Sequence, residues 1–291
     1  MRTRLGPLVA AALLASTPDS AQALCRSTSC TGECERDFDG CKTTGAPLYW
    51  PGLCVGVALN AQASEHIPFD VFQAVARRSI AAWSSLECPQ GEATIAFVEQ
   101  GPVSCHTAEY DPSGPNANLV LFQDTKWNYK SADNTLAKTT VTYDTVSGVI
   151  LDADIELNHA YNELTVSDET IVYDLESILT HEFGHFIGLD HTLDFEATMN
   201  AAYDPGTKEL RTLEQDDIAG ACAVYPPGRA AVCDPTPRGG LADACKDAPE
   251  ESGCAVTVER TPGYPALAVF GLGLAGLVAR RWRLHRRRGS S

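Results

Sequence analysis

The stretch His181-Glu182-Phe183-Gly184-His185-Phe186-Ile187-Gly188-Leu189-Asp190-His191 decides how this chain is read. It has the form H-E-x-x-H-x-x-G-x-x-H. From Asp174 to Ile187 the apolar residues recur with helical spacing, leaving Leu175, Ile178, Leu179, Phe183, Phe186 and Ile187 available for burial. Residues four apart on a helix lie one turn apart on the same face, so His181 and His185 can grip one metal ion together. Glu182 lies beside His181, within reach of a water on that metal. Gly188 can take positive φ, end the helix and turn the chain so that His191 supplies a third ligand. Three neutral imidazoles leave one coordination position open, as in a catalytic rather than a structural zinc. Such an ion acidifies its water and polarises a carbonyl while a carboxylate moves the proton. A core helix with incidental histidines would bury three polar rings at a cost, so we set that reading aside.

Downstream, Ala197-Thr198-Met199-Asn200 places Met199 eight residues after His191, and Tyr203 follows. With the histidine motif, this resembles the metzincins, and most closely the matrixins (matrix metalloproteinases). The likeness is specific over about residues 174–225 and looser back to about residue 46. Thr192 stands where matrixins usually carry serine, and Ala201 replaces their proline. The resemblance implies that Met199 forms a methionine turn beneath the zinc and that Tyr203 belongs to the S1′ wall. It implies an α+β, zincin-like fold: a twisted five-stranded mixed sheet with one antiparallel edge strand, an active-site helix and a C-terminal helix. It further implies a zinc endopeptidase with one catalytic zinc, acting on proteins or peptides. The substrate would lie extended beside the edge strand and pair with its backbone. Two rivals stay open: a surface-anchored binding protein on the same scaffold, and a peptidase dedicated to one partner. The matrixin propeptide motif P-R-C-G-x-P-D is absent from the sequence.

The length of 291 residues divides into five stretches. Residues 1–23 read as an export signal: Arg2 and Arg4, an apolar run, then Ala21-Gln22-Ala23. Residues 24–45 are cysteine-rich and poor in apolar side chains, so they need bridges rather than a core. Residues 46–227 form the expected catalytic domain. Its strands are expected at Cys54–Asn60, Ala93–Glu99, Asn118–Gln123, Leu136–Tyr143 and after Gly148, with a helix starting near Pro68. Thr212 and Gln215 offer a capping box for a last helix ending near Val224. Residues 228–261, rich in Pro and Gly, read as a linker. Residues 262–291 carry a short apolar run followed by arginines; with Cys254 upstream they resemble a bacterial C-terminal sorting signal of the MYXO-CTERM type. A permanent anchor is the other reading of that tail, and it is the one part of the chain expected to meet a membrane.

In the strand after Gly148, alternation puts Val149, Leu151, Ala153, Ile155 and Leu157 on one face and Ile150, Asp152, Asp154 and Glu156 on the other. The three carboxylates could bind calcium, and a solvated strand face accounts for them equally well. His106 and His159 read as ordinary exposed histidines. The formal charge of −16 argues against a nucleic-acid partner. Eleven cysteines in an exported chain imply disulfides with one cysteine left over. Cys254 is the candidate for that role. A monomer, secreted or displayed on a bacterial surface, is expected.

Overall fold

The computed structural model describes residues 25–84 and 86–245. The expected export signal, the C-terminal tail and Cys254 lie outside them. Five strands form one sheet: β1 (Cys54–Asn60), β2 (Ala96–Val103), β3 (Leu119–Gln123), β4 (Ala137–Tyr143) and β5 (Ile150–Asn158). Their order is β2-β1-β3-β5-β4, and only the outer pair β4–β5 is antiparallel. This is the α+β, five-stranded mixed sheet that the sequence leads one to expect. β1 is buried at every position, as a parallel strand covered on both faces must be.

Two helices, α1 (Phe69–Trp83) and α2 (Leu175–Phe186), back one face of the sheet, and α3 (Gln215–Val224) follows. Phe72, Val75, Ala76 and Trp83 of α1 meet Leu175, Leu179, Phe183 and Phe186 of α2 in the main core. Polar contacts also join the helix pair: Trp83 Nε1 donates to Thr180 O at 2.7 Å, Ser79 Oγ to Glu176 O at 3.1 Å and Arg78 Nε to Glu176 Oε2 at 2.7 Å. The opposite face of the sheet carries a smaller cluster of Ala58, Val103, Ala117, Leu119, Leu121 and Cys245.

Three expectations need correction. The alternation along β5 breaks at its start. Tyr143 pairs with Ile150 and Thr142 with Asp152, so Leu151 is the extra residue of a bulge. The bulge turns Ile150 into the core beside Ala153, Ile155 and Leu157. Asp152, Asp154 and Glu156 do share the other face, but that face is buried rather than solvated. The stretch read as a linker is bound to the domain as far as residue 245. Cys233 bridges to Cys54 and Cys245 to Cys105, while Asn116 exchanges backbone bonds with Gly240 and Ala242. Composition fails there because covalent bonds replace the apolar side chains it looks for. The last helix starts later than the Thr212 box suggests: Glu214 is its N-cap, and its N–H donates to Asp217 at 2.8 Å.

The remaining bridges are Cys25–Cys41, Cys30–Cys34 and Cys88–Cys222. Among the described residues all ten cysteines are thus paired.

Candidate active site

α2 starts on Asp174, whose side chain accepts from Ser177 N–H at 2.8 Å. The same carboxylate, fully buried, takes two bonds from Arg211 at 2.6 and 2.7 Å. This cap and ion pair hold the helix that carries His181, Glu182 and His185. Past Phe186 the chain turns at Gly188, where φ is +92°. An added Cβ there would lie 2.7 Å from Leu48 O, so glycine is required for space as well as conformation.

The turn brings His191 back over the helix. Its Nε2 lies 3.2 Å from His181 Nε2 and 3.0 Å from His185 Nε2. His181 Nδ1 is 2.7 Å from Thr198 O, and His185 Nδ1 is 2.9 Å from Leu189 O. A carbonyl oxygen only accepts, so both Nδ1 atoms carry the proton and both Nε2 lone pairs face the common centre. Burial, then the neighbouring His185 and His191, pushes His181 well below the ordinary histidine range. Burial, again with His185, brings His191 down to about 4. Among the described residues this is the one group of three or more ligating side chains that converge.

The donor set fits zinc. Tetrahedral Zn–N bonds of about 2.0–2.1 Å put two donor atoms roughly 3.3 Å apart. The two Nε2 spacings to His191 fall close to that value, and the Nε2 lone pairs of His181 and His185 both face His191.

Glu182 is buried beside the triad and lines the cleft. Burial raises its pKa, against the pull of His185 and Thr139. Thr139 Oγ1 of β4 donates to Glu182 Oε2 at 2.5 Å, tying the carboxylate to the edge strand. Met199 lies beneath α2: an added Cβ on Gly184 would be 2.1 Å from its Sδ. Asp217 holds that turn, accepting from Met199 N–H at 2.9 Å and Thr198 N–H at 2.8 Å. Because Thr198 O is the partner of His181, Asp217 reaches the histidine through the turn. Tyr203 Oη accepts from Asp174 N–H at 2.9 Å and donates to Thr207 O at 2.6 Å.

A cleft of about 500 Å³ runs from His191 past Glu182 to Tyr173, Ile178, Tyr203 and Leu210, with Leu136 to Thr139 along its rim. The cleft is thus lined both by the histidine triad and by Ile178, Tyr203 and Leu210.

Asp152, Asp154 and Glu156 lie on the far face of the sheet and do not gather on one point. Asp154 accepts from Leu119 N–H at 2.9 Å, and Glu156 accepts from Gln123 at 2.8 Å and from Tyr129. Burial pushes the Asp152 and Asp154 carboxyls upward, and the charge of Asp152 adds to the shift of Asp154. Among the described residues these three carboxylates are not a group whose ligand atoms converge closely enough to hold a metal ion. His159 is also not exposed: its Nδ1 contacts Ser64 Oγ at 2.6 Å and Asp124 Oδ1 at 3.2 Å.

Sequence reading missed Thr139, Asp174, Arg211 and Asp217. Thr139, Arg211 and Asp217 act on α2 or the methionine turn from distant parts of the chain, whereas Asp174 caps α2 itself. A buried acid beside the start of a helix, as at Asp174 and Asp217, is the one signal that pattern could have offered.

Two curated relatives share a short block with the chain. "Metalloendoproteinase 1" of Glycine max is 42% identical over 66 residues, covering 23% of this chain and 21% of that protein. "Metalloendoproteinase 1-MMP" of Arabidopsis thaliana is 42% identical over 66 residues, covering 23% and 18%. The chain thus spans about a fifth of the length of these relatives. Residues 89–226, which carry the edge strand, the histidine triad, Glu182, Met199 and Tyr203, match the family model described as Matrixin (Peptidase_M10), and over that region the chain is matrixin-like.

Proposed function

We propose that the chain is an exported zinc endopeptidase that cuts extended protein segments. The observation that carries this reading is the convergence of three imidazoles beside Glu182 in an open cleft. His181, His185 and His191 would hold one zinc ion. That ion, when bound, supplies Lewis acidity toward water and toward the scissile carbonyl.

The chain's own residues do the rest. The outer edge of β4 offers backbone groups to an extended peptide. The apolar pocket of Ile178, Tyr203 and Leu210 seats one substrate side chain next to the cut. Glu182 takes a proton from the attacking water and passes it to the leaving amine. Its bond to Thr139 turns the carboxylate toward the strand that holds the substrate. Met199 supports the triad from below, and Asp217 keeps the turn in place.

Five disulfides support export to an oxidising compartment. Among the described residues no helix is long and apolar enough to cross a membrane. Attachment to a cell surface would therefore rest on the tail after Cys254. We take the protein to be a monomer.

The test is digestion of unfolded casein or gelatin by the purified full chain. Cleavage that a zinc-binding hydroxamate blocks is the expected result. Intact substrate in the presence of bound zinc would favour a binding protein or a peptidase with one dedicated partner.

A further inference from the structure

We infer that the disulfide-closed segment from Cys25 to Leu48 is a strap that positions His185 and His191. The inference rests on the zinc-site reading above. The segment lies outside residues 89–226, the part of the chain that is matrixin-like.

The turn from Gly188 to His191 is built against this strap. Ser27 N–H donates to Gly188 O at 2.9 Å, and Asp190 N–H donates to Cys25 O at 2.9 Å. Ser27 Oγ donates to Leu189 O at 3.0 Å. That same carbonyl accepts from His185 Nδ1, so Ser27 helps to aim the oxygen that sets the His185 ring. Leu48 lies so close to Gly188 that any side chain there would strike its carbonyl.

A second contact acts on His191. Asp190 Oδ1 accepts from the His191 N–H at 3.0 Å, and Asp190 Oδ2 meets Lys42 Nζ at 3.0 Å. Lys42 thereby holds the carboxylate that holds the His191 backbone. The bridge Cys25–Cys41 ties the two contact points together, since Cys25 supplies the carbonyl under Asp190 and Cys41 precedes Lys42.

The physical consequence is preorganisation. A turn that begins with a glycine in the left-handed region has no regular structure of its own to hold a ligand in place. Groups that orient a ligand without touching the metal carry much of a site's affinity. Lys42 and Ser27 are positioning residues in this sense. The cysteine-rich segment then completes the metal centre from behind, where a latency segment would plug it from the cleft.

The test is zinc affinity, measured on the full chain by competition with a chromophoric chelator. Lys42→Met with Ser27→Ala should weaken affinity by about 10–100-fold, the usual range for groups behind a metal ligand. Lys42→Arg should restore most of the Lys42 share. Arg77→Met, which breaks an ion pair with Glu99 on the far side of α1, should leave affinity unchanged. The visible spectrum of the cobalt-loaded double variant should differ from wild type. Wild-type affinity and spectrum in a folded double variant would overturn the strap. If the double variant does not fold, the same comparison on each single variant decides. Wild-type protein that binds no zinc would remove the site reading and the strap together, whereas tight binding in all variants removes the strap alone.

Discussion

Gly184 sits between two histidines and leaves no spare room. An added Cβ would lie 2.1 Å from Met199 Sδ and 2.9 Å from Trp83 Cζ2. Trp83 cannot easily give way, because its Nε1 is bound to Thr180 O. Gly184→Ala should therefore cost about 1–3 kcal/mol, the usual scale for overpacking a core. Urea unfolding would read this as a lower midpoint at an unchanged slope; an unchanged midpoint would show that Met199 can move aside. At this scale the motif was legible because ligation needs fixed residue types at fixed spacing. Its supports were not. Thr139 lies 43 residues from Glu182, and Asp217 lies 18 from Met199. Neither pairing leaves a local pattern.

At the scale of elements, β4 is the test case. Its inner side pairs with β5 along the whole strand, so its outer side is the edge beside the cleft. Proline removes one backbone donor. Placed in turn at Ala137, Lys138, Thr140, Val141 and Thr142, it should act in two ways. One alternating set should lose stability through the β4–β5 ladder. The other should fold normally and show a raised KM with zinc content unchanged. If every substitution that folds cuts as well as wild type, the substrate lies elsewhere. The places of the strands along the chain and the helix carrying the triad were readable from periodicity, while the edge position of β4 was implied by the resemblance to matrixins. The bulge at Leu151 was not, since one extra residue reverses the faces before it without altering composition. The burial of Asp152, Asp154 and Glu156 was also hidden, because Leu119, Gln123 and Tyr129, the partners of Asp154 and Glu156, lie 27 to 35 residues away and leave no local pattern.

Across the whole molecule, disulfides do what apolar burial does elsewhere. The stretch 228–245 is bridged to the domain through Cys233 and Cys245, while the segment 25–48 is closed by its own two bridges and lies on the domain through backbone bonds to the turn at Gly188. Cysteine counting could show that bridges exist but not which residues they join. It did leave one cysteine over, and the ten described cysteines pair among themselves. We propose that Cys254, the eleventh, serves anchoring or processing. Protein released from its native cell surface should have a mass that excludes the residues up to Ser291, with Cys254 in no intramolecular bridge. An intact tail would favour a permanent anchor instead.

The most direct measurement compares zinc content and peptide turnover in wild type and Glu182→Ala. Glu182 is proposed to move the proton without holding the metal. The expected result is about one zinc per chain in both proteins, with turnover lowered about 10²–10⁴-fold in the variant, the usual span for a general acid–base group. Near wild-type turnover with zinc retained, or loss of the zinc itself, would contradict the assignment.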